Sequence, residues 1–125
     1  MTNDRPASPV TLVLGASERP DRYANMAVHR LVGHGHRVVA VGLRPGWIAE
    51  VPIVTALPEA PIDTVTLYVG PTALEGWRQA LLDLKPRRII FNPGTEHPDF
   101  EKEARSKGIA TEQACTLVML AAGTY

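Results

Sequence analysis

A chain of 125 residues with 13 basic and 13 acidic side chains is long enough to bury one core without metal or disulfide staples, and its balanced charge gives no field to hold nucleic acid or an anionic membrane. The lone Cys115 excludes an internal disulfide and a cysteine-based zinc cluster. MTNDRPASP at the start has no apolar signal region and no apolar run approaches bilayer length, so a cytoplasmic setting is the expectation.

Residues 1–8 are polar and aperiodic, which predicts a flexible tail ahead of a single domain over 9–125. Val10 to Leu14 is short, apolar and closed by Gly15, the pattern of a parallel strand covered on both faces. A tight turn at Gly15-Ala16-Ser17 and a polar loop lead to a helix with Ala24, Ala27, Val28 and Leu31 on one side. Asp21 is the expected N-cap, and Gly33 or Gly35 the stop. Arg37 to Val41 is the second buried strand, and Gly42-Leu43-Arg44-Pro45-Gly46 reads as loop.

Pro52, Pro58 and Pro61 argue against a full crossover helix and leave a short edge strand at Val51 to Val54. Ile62 to Val69 is β-branched and strand-like. Pro71 then opens one helix with Leu74, Trp77, Leu81 and Leu84 inward, stopped at Pro86. Arg87 to Phe91 is a strand, Asn92-Pro93-Gly94-Thr95 a turn, and Pro98 to Lys107 a charged surface helix ended by Gly108. A short strand at Ile109 to Glu112 precedes Cys115 to Ala122, a helix apolar all round that needs cover from the domain or from a second copy in a homodimer.

Strands alternating with helices predict an α/β fold: a single Rossmann-like, doubly wound domain with a mainly parallel sheet of about five strands. Its ligand crevice is expected beyond the strand C-termini, where loops 15–22, 42–46, 69–71 and 92–95 converge. The first turn carries one glycine of the three in GxGxxG, and the second strand ends on Gly42, Leu43 and Arg44 with no carboxylate for ribose hydroxyls. Both features weigh against NAD. Backbone amides at Gly15, Ala16 and Ser17 suit phosphate, and Arg44 suits a phosphate on the adenosine ribose, as in NADP or coenzyme A.

His29, His34, His36 and His97 have no metal-ligand spacing and no HExxH is present. Ser17 lacks the GxSxG context of a nucleophile. Cys115 opens an apolar helix, where a thiol is either reactive or simply buried.

The stretches TLVLGASERPDRYANMAVHRLVGHGHRVVAVG, IDTVTLYVGP, PRRIIFNPGTEHPDFEKEARSKGI and ACTLVMLAAGTY together resemble the small stand-alone CoA-binding proteins, whose domain is similar to the CoA-binding domain of the succinyl-CoA synthetase α-subunit. The resemblance runs from Pro9 onward and implies coenzyme A, or an acyl-CoA, at the strand C-termini. It carries onto the turn Gly15, Ala16 and Ser17, the polar loop with Arg19, Arg22, Tyr23 and Asn25, and the loop Gly42, Leu43 and Arg44, where many relatives have Asn-Pro-Arg. It also carries onto Val69, Gly70 and Pro71, and onto Asn92, Pro93 and Gly94. The larger synthetases add a phosphohistidine and further domains, so the resemblance implies binding without catalysis. The alternatives are an NADP-binding reductase or an accessory subunit of a CoA ligase. In a CoA-binding fold, Cys115 becomes a candidate for thiol exchange with the coenzyme.

Overall fold

Strand β1 (Val10–Leu14) lies at the centre of the sheet in the computed structural model, which describes residues 9–125; the tail expected at 1–8 falls outside the described residues. Its alternation sends Leu12 and Leu14 to one face and Val13 to the other, and all three are buried. Helix α1 (Tyr23–Gly33) lays Ala24, Val28 and Leu31 on the Val13 face. The chain leaves α1 through Gly35, whose φ of +85° lets the His36 amide donate back to the Leu31 carbonyl.

Strands β2 (Arg37–Val41), β3 (Gly46–Ile48), β4 (Val51–Val54), β5 (Thr64–Leu67), β6 (Arg88–Phe91) and β7 (Ala110–Gln113) complete a seven-stranded sheet of order β3-β4-β2-β1-β5-β6-β7. Every neighbouring pair is parallel except β3 with β4. Helices α2 (Pro71–Leu74), α3 (Arg78–Leu84) and α4 (Pro98–Ser106) bring Leu74, Leu81, Phe100 and Ala104 onto the Leu12 face, where Val65, Leu67, Ile89 and Phe91 meet them. Helix α5 (Thr116–Ala122) buries Thr116 and Leu120 on the α1 side of the sheet and leaves Val118 outward, so the domain itself covers one face of that apolar helix.

Six of the seven strands fall on segments read as strands in the sequence, where a sheet of about five was expected, and β3 is the addition. Gly46 begins β3 in a segment read as loop, and the three-residue strand folds back antiparallel on β4 with Trp47 opposite Pro52. Pro52 sits in an edge hairpin, where a missing ladder donor is tolerated. The helix expected from Pro71 to Pro86 is broken in two. Gly76 weakens it at its middle, and Gly76 and Trp77 donate to the carbonyls of Ala73 and Leu74, tightening that turn to an i to i−3 pattern before α3 starts. Asp21 does not cap α1: Arg22 takes the N-cap position and Asp21 pairs instead with Arg19 at 3.4 Å.

The β3–β4 turn holds Ala49 and Glu50 at φ of +49° and +65°, the left-handed pair that Asn-Gly adopts without strain. Replacing the two by Asn and Gly is expected to raise the unfolding free energy by about 1 kcal/mol. Urea denaturation checks this: the midpoint should rise with the slope unchanged.

Among the described residues no helix is long and apolar enough to cross a membrane, and no group of three or more His, Cys, Asp or Glu is placed to hold a metal ion. From β1 the chain winds outward through α1 to β2, whereas β5, β6 and β7 extend the sheet the other way. The loops after β1 and β5 therefore part from each other, and a crevice opens between them.

Candidate functional site

The β1–α1 connection forms one wall of that crevice because glycines let it lie close to its neighbours. Gly15 has φ of +102°, and a Cβ there would stand 2.9 Å from the Tyr68 carbonyl oxygen. A Cβ on Gly42 would stand 2.2 Å from the Ala16 carbonyl oxygen. The amides of Gly15 and Ala16 both donate to the Val41 carbonyl, at 2.8 and 2.9 Å, so the first turn is tied to the end of β2. Those two amides are thereby spent, and the free donors of the turn begin at Ser17. Asn25, buried on α1, donates from Nδ2 to the Ser17 carbonyl at 2.9 Å and holds the far side of the turn.

The resulting cleft has a volume of about 720 Å³. Of the residues singled out in the sequence, Gly15, Ala16, Ser17, Arg19, Arg22, Tyr23, Leu43, Arg44, Val69, Gly70, Pro93 and Gly94 line it together. Asn25, Gly42, Pro71 and Asn92 stand behind that lining. Gly42 is buried beneath Ala16, and Pro71 is the first residue of α2. Asn92 is turned into the core: its Nδ2 donates to Thr66 Oγ1 at 2.7 Å and to the Leu67 carbonyl at 2.8 Å, and its Oδ1 accepts from the Thr116 amide at 2.8 Å. Cys115, half-buried at the N-cap of α5, is not part of the lining.

Glu18, Ala24, Pro45, Tyr68 and Thr95 also line the cleft and were not named as site residues from the sequence. Loop membership was the available signal for Glu18, Pro45 and Thr95, since 15–22, 42–46 and 92–95 are the loops expected to converge. Tyr68 faces the cleft while its hydroxyl is buried near those of Thr66 and Thr116 without a hydrogen-bond partner among the described residues. Burial pushes this phenol up to about 12, so it stays protonated across the physiological range.

Cationic groups dominate the charge of the lining, with Arg19, Arg22 and Arg44 against the single carboxylate of Glu18. Arg19 pairs with Asp21, whereas Arg22 and Arg44 make no ion pair among the described residues. Helix α1 reaches the cleft with Tyr23 and Ala24, without a side-chain cap and without an acidic residue in its first turn. Its first amides and the positive end of its dipole are therefore open to an anion.

His97 lies beyond the lining and has both ring nitrogens engaged. Its Nδ1 accepts from the Phe100 amide at 3.1 Å, capping α4, and its Nε2 meets the Glu75 carboxylate. That hydrogen bond holds the Glu75 carboxyl below the usual range.

Solved structures share this arrangement of elements. The crystal structure of an uncharacterized protein superposes with a TM-score of 0.91 at 42% identity, covering 96% of this chain and all of its own. A Thermus thermophilus protein, cell-free ID.343, gives 0.84 at 26% identity over 94% of this chain and 91% of its own. A hypothetical protein from Pyrococcus horikoshii OT3, 22% identical, gives 0.78 over 86% and 78%, which speaks for the fold. No curated protein matches the chain. The family described as a CoA binding domain matches residues 10–121, from the first residue of β1 into α5. A match over almost every described element, on a fold whose first turn and bare helix end open into one cationic cleft, places the chain in the CoA-binding domain family.

Proposed function

We propose that the protein binds coenzyme A, free or acylated, in this cleft and performs no chemistry of its own. The diphosphate lies against Ser17 and the opening amides of α1, and a further phosphate is met by Arg44 or Arg22. The observation that carries this reading is the bare start of α1: it opens into the cleft with no side-chain cap and no acid in its first turn, beside Arg22 and Arg44, which make no ion pair among the described residues. Such an end costs stability unless an anion occupies it. Family membership points to the same ligand.

Calorimetric titration with coenzyme A and, in parallel, with NADP tests the proposal. Heat is expected with coenzyme A. Arg44→Ala, at an exposed position, is expected to weaken that binding by about tenfold through loss of one charge-assisted contact, with thermal stability unchanged. No heat with coenzyme A at millimolar concentration overturns the reading, and heat with NADP alone replaces it with an NADP-binding reductase.

A further inference from the structure

Nucleotide-binding α/β domains commonly place an acid at the end of the second strand to accept the ribose hydroxyls. This chain has Gly42, Leu43 and Arg44 there. The fold brings in a carboxylate from elsewhere. Glu18, on the loop after β1, reaches across to the start of β3, where its Oε2 accepts from the Trp47 amide at 2.9 Å. The stem of Glu18 fits only because residue 46 is glycine: a Cβ on Gly46 would lie 2.4 Å from the Glu18 Cδ. One carboxylate oxygen is thus fixed by the backbone. The other, Oε1, accepts no hydrogen bond among the described residues, and Glu18 lines the same cleft as Arg44.

A carboxylate accepts from a hydroxyl and repels a phosphate, whereas a guanidinium does the reverse. The sugar that suits the two together carries one hydroxyl beside one phosphate. Two hydroxyls would leave Arg44 unpaired, and two phosphates would set an anion against Glu18. Coenzyme A carries such a ribose, with its 3′-phosphate next to a free 2′-hydroxyl. Resting on the coenzyme reading above, we infer that Glu18 is the hydroxyl-reading residue of the site, accepting from the ribose hydroxyl adjacent to the phosphate that Arg44 meets.

The probes are adenosine 3′,5′-bisphosphate and its 2′-deoxy analogue, titrated into the full chain and into Glu18→Gln. The glutamine retains the Trp47 contact through its amide oxygen and turns an NH2 group, a donor, toward the ligand. The unaltered protein is expected to prefer the ribonucleotide by about tenfold, the worth of one charge-assisted hydrogen bond. Glu18→Gln is expected to bind the two within about twofold of each other, while slow hydrogen exchange at the Trp47 amide shows that the loop contact persists. Reading the ratio of the two affinities separates hydroxyl recognition from a general loosening of the loop, which weakens both ligands alike.

Equal affinities in the unaltered protein overturn the inference and leave the coenzyme reading standing. A tenfold preference retained by Glu18→Gln overturns it as well. Failure of the unaltered protein to bind either bisphosphate or coenzyme A removes both readings together.

Discussion

Replacing Gly42 by alanine is expected to lower the unfolding free energy by about 3 kcal/mol, the upper end of the usual cost of overpacking, and to open the cleft. The added Cβ would stand 2.2 Å from the Ala16 carbonyl oxygen and 3.2 Å from Ile53 Cγ2. Neither neighbour has room to give. Ala16 is held by the hydrogen bonds of the Gly15 and Ala16 amides to Val41, and Gly42 itself donates to the Val54 carbonyl at 2.9 Å. Relief requires the first turn to lift from the end of β2, carrying Ser17 and the start of α1 with it. Stability and ligand affinity should therefore fall together. Gly70→Ala is the matched control. Gly70 also lines the cleft, but its φ is −72° and a Cβ there meets nothing within 4 Å. Urea unfolding of the two variants should separate them clearly, and equal midpoints would mean that the turn is not clamped as described.

The second large effect is expected at Asn92, which is 2% exposed. Its amide joins the ends of β5 and β6 to the start of α5, through Thr66, Leu67 and Thr116. Asn92→Leu preserves bulk and removes all three bonds. The Leu67 carbonyl and the Thr116 amide lose their side-chain partner in the core, for an expected loss of about 4 kcal/mol, at one to three for each stranded polar group. Asn92→Asp makes a sharper test because its deficit depends on pH. The acid can still accept from the Thr116 amide through one oxygen, but when ionised its other oxygen faces the Leu67 carbonyl with no proton to donate. Protonated, it can donate there again. Its folded-state pKa should therefore lie above the unfolded value near about 4. The deficit should be small below the unfolded value and grow as pH rises toward the folded one. Denaturant midpoints at pH 4 and pH 7 read this directly, and a deficit that shrinks as pH rises would contradict the assignment.

Asn92 illustrates why part of the site was hidden in the sequence. Asn-Pro-Gly-Thr is a turn by composition, and its place after a strand puts it at the mouth of the crevice. Which way the asparagine amide points depends on Thr66, Leu67 and Thr116, each at least 24 residues away in the chain. Gly15 and Ala16 present the same problem: a Gly-Ala-Ser turn marks a close approach of backbone, but the target of its amides turned out to be the Val41 carbonyl. The break between α2 and α3 had a local signal in Gly76, masked by the apolar spacing of Leu74, Trp77, Leu81 and Leu84 that runs through it.

What the sequence determined by itself was what buried alternation and local backbone chemistry dictate. The apolar runs of β1, β2 and β6 require cover on both faces, the glycines and prolines punctuate the connections, and together they impose a parallel, doubly wound sheet with its loops gathered at one end. The tertiary structure decided which polar groups at that end remain free. The Gly15 and Ala16 amides are consumed by β2, the start of α1 is left bare, and Glu18 is carried 29 residues along the chain to the Trp47 amide. Hydrogen-bond direction is set by partners distant in sequence, and no local pattern encodes it. The acid missing from the end of β2 is supplied in space by the loop after β1.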